Sequence, residues 1–166
     1  MSAKKNTTEE QDSEINPIAI NAQYIKDLSF ENPTPINNFI PNDQVVPDFA
    51  INVETNAQKL SDDTYEVVLK TRAHATRGDN TMFLIELEYA CIVTLTHVPE
   101  DLVRPILMVE CPRLLFPYAR QILSSITMES GFPPLYLNPI DFGDMYRRQM
   151  EAEGQVDNMP ISATKN

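Results

Sequence analysis

Few side chains in this sequence have the type and spacing that catalysis requires. His74 and His97 are its two histidines, and neither has a second histidine at the separation that a metal site needs. The cysteines, Cys91 and Cys111, do not form the Cys-x-x-Cys spacing of zinc and redox sites. Four glycines supply no phosphate-binding loop and no dinucleotide fingerprint. We therefore predict no catalytic residue, no metal site and no cofactor, and we expect a function based on binding.

Composition and charge exclude further classes of function. A formal net charge of -11 argues against a nucleic acid partner and against attraction to anionic membranes. No run of about eighteen apolar residues occurs and the N-terminus has no apolar signal core, so we expect neither direct membrane insertion nor a cleaved leader. Two cysteines without a disulfide framework favour a reducing, cytoplasmic location. Hydrophobic residues form 42% of the chain, which is enough for one domain with a real core.

Four segments with alternating polarity predict β-strands. They cover residues 18–31, 48–55, 63–77 and 81–95. In the first, Tyr24, Lys26, Leu28 and Phe30 are expected on one side of the strand. Gly78-Asp79-Asn80 predicts a hairpin between the last two. The fourth strand has the longest apolar face, which is expected in the core or at a subunit interface. Cys91 lies on this face, whereas a partly exposed position stays open for Cys111.

Three helices are predicted after the strands. The first runs from Pro99 to Cys111-Pro112. The second starts at Leu114, has Pro117 in its first turn and closes at Gly131. The third follows an N-cap at Asp141. The order of elements indicates an α+β fold, with a four-stranded antiparallel sheet and helices on one face. The domain is expected at residues 17–152, between disordered tails at residues 1–16 and 153–166.

Two features of this predicted domain favour binding. Asp27, Glu31, Glu86 and Glu88 fall on the strand sides away from the core, with Leu84 among them, and form either a solvated face or a docking surface for a basic partner. Residues 132–140, here called the strap, combine three prolines with large apolar side chains and can neither extend a helix nor join a central strand. The strap is either a packed crossover or one wall of a groove for extended, unfolded polypeptide.

Several long stretches resemble the SecB family of bacterial protein-export chaperones. They are LLFPYARQILSSIT, GFPPLYLNPIDF, YIKDLSFENP and DTYEVVLKTRAHA, and the resemblance spans residues 18–150. It implies a homotetramer built as a dimer of dimers around a four-stranded antiparallel sheet. It also implies an ATP-independent holdase that binds unfolded preproteins in the cytoplasm and delivers them to the translocase ATPase SecA.

The resemblance also implies roles for individual residues. Positions that match those for docking on SecA are Asp27, Glu31, Leu84 and Glu86. Positions around the client groove are Phe39, Phe132, Leu135 and Leu137. Positions tied to the oligomer interface are Phe83, Ile85, Leu87 and Tyr89, and the helix of FPYARQILSSIT is expected in the packing between dimers.

Two other functions stay open at this point. A SecB-like chaperone could serve another client, such as an antitoxin. Alternatively, an acidic adaptor without chaperone activity could bind one folded basic partner, with the strap fully buried. The exposure of the apolar residues separates the adaptor from the chaperones.

Overall fold

The structure, a computed structural model, describes residues 17–35 and 46–157, with side chains as far as residue 152. Four strands are followed by a helical region. The strands are β1 (Ile18–Glu31), β2 (Asp48–Lys59), β3 (Thr64–Arg77) and β4 (Asn80–Leu95). The helices are α1 (Glu100–Pro105), a π-helical segment (Ile106–Glu110), α2 (Cys111–Glu129) and α3 (Phe142–Asp157). This order confirms the predicted α+β class.

The strands form one antiparallel sheet in the order β1-β4-β3-β2, so β3 and β4 are central. Side chains of paired residues share a face, as Leu69 and Tyr89 do on one side and Lys70 and Glu88 on the other. The first side is packed against the helices and is called the inner face; the second is called the outer face. Gly78 adopts a φ of 58° in the β3–β4 turn, which confirms the predicted hairpin.

Strand β1 departs from simple alternation. Its register against β4 shifts between Ile20 and Ala22 and again between Ile25 and Asp27. Tyr24 is therefore paired with Ala90 on the outer face, whereas Leu28 is paired with Leu87 on the inner face. The prediction that Tyr24 and Leu28 share one side is wrong, because an extra residue in a bulge reverses the alternation beyond it.

The helical layer is more continuous than predicted. The first helix does not end at Cys111-Pro112, since α1, the π-helical segment and α2 follow one another and Cys111 has helical dihedrals (φ -60°, ψ -52°). A proline inside a regular α-helix lacks one amide and its ring clashes with the preceding turn. The wider π turn before Pro112 relieves that crowding. Pro117 consequently lies inside α2 rather than in a first turn.

The core lies between the inner face of β3 and β4 and helix α2. Burial of each large apolar side chain stabilises the fold by roughly 1.5–3 kcal/mol. Among the described residues, the large aliphatic side chains that are fully buried are Val67, Leu69, Ile85, Leu87, Val93, Leu115 and Leu123. Phe142, at the start of α3, is also buried and meets Phe116 of α2 edge to face.

Both predicted signals around the strap are confirmed. Helix α2 closes at Gly131, which has a φ of 85°, and Asp141 caps α3 by accepting the Asp144 amide at 2.9 Å. Helix α3 continues to Asp157, beyond the boundary predicted at residue 152. The N-terminal tail predicted for residues 1–16 and residues 158–166 of the other tail lie outside the described residues. Among the helices that the structure describes, none is long and apolar enough to span a membrane.

Candidate binding surfaces

The outer face carries the predicted acidic patch at the junction of β1 and β4. Asp27 is paired with Glu88, and Glu31 is paired with Leu84. Glu86 lies between these pairs on the same face. The second bulge in β1 precedes Asp27, so the alternation from Asp27 onward runs as the sequence predicts. The four positions that the resemblance assigned to docking therefore lie together.

Cations on β3 neutralise one half of this patch. Lys70 Nζ lies 2.9 Å from Glu88 Oε1, and Arg72 Nε lies 3.0 Å from Glu86 Oε1. The hydrogen bond that Lys70 donates to Glu88 raises the pKa of Lys70. Asp27 and Glu31 are exposed and have no ion-pair partner within the residues that the structure describes. The uncompensated negative charge is thus concentrated on the outer edge of β1.

A second polar cluster joins β1 to β3 across β4 on the same face. The Tyr24 hydroxyl donates to Glu66, and Lys26 Nζ lies 2.6 Å from the other oxygen of that carboxylate. The hydrogen bond to Glu66 and partial burial raise the pKa of Tyr24 to about 12, while hydrogen bonds from Lys26 and Tyr24 lower the pKa of Glu66. Sequence reasoning missed this cluster because the bulges bring Tyr24 to the outer face.

The strap is buried at its first residue, Phe132, and again at Leu137, and it is more exposed between them. Phe132 is buried against Phe83, with ring centroids 4.9 Å apart, and Leu137 is buried as well. Leu135 is half-buried and Tyr136 is exposed. Of the residues predicted around the client groove, Leu135 therefore presents accessible surface, while Phe132 and Leu137 form the support behind it. Phe39 lies outside the described residues.

The inner face of β2 presents apolar surface that the helices leave open. Phe49 and Ile51 are 45% and 46% exposed although their side chains point to the core side of the sheet. Phe49 also contacts Phe83, with ring centroids 6.3 Å apart, so this open surface continues from the aromatic cluster under the strap. Sequence alternation identified the face of these residues but not their exposure.

Further along β2, the open surface becomes a groove against the helical region. Two adjoining depressions of about 400 and 300 Å³ meet at Thr55. Thr55 is only 7% exposed, and its hydroxyl has no hydrogen-bond partner within the described chain. The apolar lining comes from Val53, Val103, Leu107, Met108 and Met145. β2 is a sheet edge in the described structure, so its outer backbone groups border the groove.

The residues that the resemblance tied to oligomer assembly lie in the core of the single chain. Phe83, Ile85, Leu87 and Tyr89 are all buried by its own sheet and helices. Tyr89 stacks on Tyr118 of α2, with ring centroids 6.1 Å apart. Their part in assembly stays a prediction. Apolar side chains that the single chain leaves exposed on β1 and α2 are Ile25, Leu114, Tyr118 and Met128.

The two cysteines and His74 are engaged within the chain. Cys91 is in the core as predicted, and Cys111, whose position was open, is fully buried too. A hydrogen bond with Cys91 and burial raise the pKa of Cys111, which keeps this thiol protonated. His74 Nε2 lies 3.0 Å from Thr81 Oγ1 on the outer face. Within the described residues, no cluster of three or more potential metal ligands occurs.

The fold and its surfaces define a binding protein, with an acidic outer face and, on the inner side, open apolar surface that leads into a groove with a mixed apolar and polar lining. The comparisons with known proteins agree. Residues 10–153 match the family model described as preprotein translocase subunit SecB. The protein-export protein SecB of Rhodospirillum centenum is 48% identical over 139 residues, covering 83% of this chain and 82% of that protein. Its counterpart in Beijerinckia indica is 41% identical over 149 residues, covering 90% and 92%.

The chain therefore belongs to the SecB family of protein-export chaperones, which confirms the resemblance. A solved structure supports the fold independently. The SecB-like chaperone of Mycobacterium tuberculosis, in complex with a peptide from an antitoxin, superimposes with a TM-score of 0.60 at 14% identity. That match covers 75% of this chain and 91% of the mycobacterial one.

Proposed function

We propose that this chain is an ATP-independent holdase that binds unfolded preproteins in the cytoplasm and delivers them to SecA. The observation that carries the proposal is the open apolar surface along the inner face of β2, beside the strap. A protein that bound one folded partner through its acidic face would have no use for this surface, and leaving it exposed would favour aggregation. The export names of relatives that are 40–48% identical favour preproteins over an antitoxin as clients.

The groove suits an extended polypeptide. Phe49 and Ile51 offer apolar contact at one end, where Phe49 meets the aromatic cluster of Phe83 and Phe132 under the strap. The edge of β2 offers backbone donors and acceptors that read little sequence. Thr55 lies in the floor, where the two depressions meet. Apolar contact and backbone bonds together give broad selectivity for unfolded chains.

The acidic patch is proposed as the docking surface for SecA. Asp27 and Glu31 carry the uncompensated charge, so they attract a basic partner and accelerate the encounter. Leu84 is half-buried between the two strands and adds apolar contact to the same surface. Glu86 is already engaged by Arg72, so its contribution to a partner is smaller. The patch lies on the face opposite the groove, so client and SecA can bind together.

Assembly into a homotetramer, as a dimer of dimers, is proposed from the exposed apolar residues on the helical side. Leu114, Tyr118 and Met128 are all about half exposed on α2. Ile25 on β1 is exposed on the same side of the sheet. Packing a second copy over this surface would bury these side chains. It would also cover the helix that rests on Phe83, Ile85, Leu87 and Tyr89.

The test is a mass measurement by light scattering, with no nucleotide present. A chemically denatured preprotein is diluted into buffer with and without the purified protein. The expected result is a soluble complex of a tetramer with the unfolded preprotein and no complex with the same preprotein after folding. A protein that lets the preprotein aggregate, and that binds little of a fluorescent dye for exposed apolar surface, would favour the acidic adaptor. Selective binding of an antitoxin would favour the other chaperone.

A further inference from the structure

Thr127 connects helix α2 to the strap through both its side chain and its backbone. Its hydroxyl donates to the carbonyl oxygens of Leu123, at 3.0 Å, and Ser124, at 3.1 Å. The same hydroxyl accepts the backbone N–H of Leu135 at 2.9 Å, and the Thr127 carbonyl accepts the N–H of Phe132 at 3.0 Å. Thr127 is 0% exposed. One buried residue therefore binds the strap at two points.

The Leu135 amide needs this acceptor. The strap contains three prolines, so it has few backbone donors, and it is assigned to no strand or helix that would satisfy them. Leu135 is half-buried, and a buried amide without an acceptor is costly. In an extended segment that pairs with no strand, an acceptor on a neighbouring helix can satisfy such an amide and hold the backbone in place. The Thr127 hydroxyl supplies that bond.

A second contact extends the same line of attachment along α2. The guanidinium of Arg120 lies over the ring of Tyr136, 5.6 Å from its centroid. Arg120 and Thr127 are separated by about two helical turns, so they lie on one stripe of the helix. The strap thus runs back along α2, with Leu135 held at Thr127 and Tyr136 held nearer the start of the helix.

We infer that Thr127 is a positioning residue of the client surface, because its hydroxyl fixes the Leu135 backbone and thereby orients Leu135 and Tyr136 on the strap. The inference rests on the proposed function, since it assigns the strap to client binding. A strap that is already ordered loses less conformational freedom when a client binds. Without the hydroxyl, part of the binding free energy is spent on ordering the strap, and affinity falls.

The experiment compares three variants with the wild-type protein. Thr127→Val keeps the shape of the side chain and removes the hydroxyl, whereas Thr127→Ser keeps the hydroxyl and loses a methyl group. Thr71→Val is the matched control, because Thr71 is equally buried and its hydroxyl has no partner within the described residues. Hydrogen exchange of the Leu135 amide reports on the strap. Affinity is measured with a reduced, carboxymethylated globular protein, which stays unfolded without denaturant.

We expect Thr127→Val to raise Leu135 amide exchange by about tenfold or more and to weaken client binding about three- to tenfold. Thr127→Ser and Thr71→Val should stay within about twofold of the wild-type protein in both measurements. In the wild-type protein, the Leu135 amide should also exchange more slowly than that of Tyr136, which has no acceptor within the described chain. This last comparison tests the hydrogen bond even if a variant fails to fold.

Three results would overturn the inference. Equal exchange of the Leu135 amide in the wild-type protein and Thr127→Val would show that the hydroxyl does not hold the strap. Faster exchange with unchanged client affinity would show that the strap is held but does not position the client surface. A wild-type protein that binds no unfolded client would overturn the proposed function itself, and it would do so whatever the exchange data show about Thr127.

Discussion

Ile51 provides the most direct test of the groove, because it lies next to a residue on the opposite face. Its side chain is on the inner face, paired across β2 and β3 with Ala73. Ala50 precedes it and points to the outer face, paired with His74. Ile51→Ser removes apolar surface from the open inner face of β2 that leads into the groove. Ala50→Ser places the same serine one residue away, on the outer face, without removing a large apolar side chain.

The expected effect follows from the exposure of Ile51. Full burial of an isoleucine side chain is worth roughly 1.5–3 kcal/mol. Because 46% of Ile51 is exposed, a client that covers this share gains about 0.7–1.4 kcal/mol. Losing that gain weakens client binding about three- to tenfold. The share already buried by the fold makes Ile51→Ser less stable by about 1 kcal/mol, whereas Ala50→Ser should leave stability nearly unchanged.

The assay is fluorescence anisotropy of a labelled, permanently unfolded client, with thermal unfolding recorded for both variants. Measurements are made well below the unfolding midpoint, so the lower stability of Ile51→Ser does not change the folded fraction. The interpretation of β2 as a client surface would be refuted if Ile51→Ser bound the client as tightly as the wild-type protein. It would also be refuted if Ala50→Ser weakened binding by the same factor.

Three further predictions address the acidic patch of the outer face, the assembly, and the hydrogen bond between Tyr24 and Glu66. Replacing Asp27 with Asn and Glu31 with Gln should weaken SecA binding about tenfold at low salt, which is more than Glu86→Gln alone should do. High salt should reduce the difference in affinity between the wild-type protein and the double variant. Tyr118→Asp should shift the tetramer to smaller species in sedimentation; an unchanged mass would exclude this part of α2 from the interface. In an ultraviolet titration, the Tyr24 hydroxyl should ionise near pH 12 and the step should vanish in Tyr24→Phe. Because the pKa of Tyr24 is raised from 10.0, the contribution of its protonated hydroxyl to stability is complete below pH 10 and is lost as the pH rises through 12. The stability difference between the wild-type protein and Tyr24→Phe should therefore be smaller at pH 11.5 than at pH 9; the same difference at both pH values would contradict this.

The strands and the acidic face could be predicted because both follow from a local period of two. The alternation of residues 18–31 predicted the bounds of β1, and the sides assigned to Asp27 and Glu31 were correct. The N-cap at Asp141 and the stop at Gly131 were found for a similar reason, since each depends on the side chain and backbone preferences of one residue. Resemblance then supplied the family, which the comparisons confirm.

Features that depend on pairing between elements were missed. The β1 bulges are set by the register with β4, and nothing in the alternation of β1 reveals that an extra residue is present. Pro112 was interpreted as a helix end, because a proline usually terminates a helix. The neighbouring sequence does not show that a π turn precedes Pro112 and makes room for its ring. The Thr127 contact joins a helix to a strap residue, and no spacing rule links these two positions.

By itself, the sequence determined which segments are strands, which face of β2, β3 and β4 is apolar, and where the negative charge is placed. The tertiary structure decided which apolar side chains remain accessible. Phe132 and Phe49 illustrate the difference: both are phenylalanines on apolar segments that contact Phe83, yet the first is buried and the second is nearly half exposed. Burial depends on what packs over a residue, and the helical layer covers the centre of the sheet but leaves β2 open at Phe49 and Ile51.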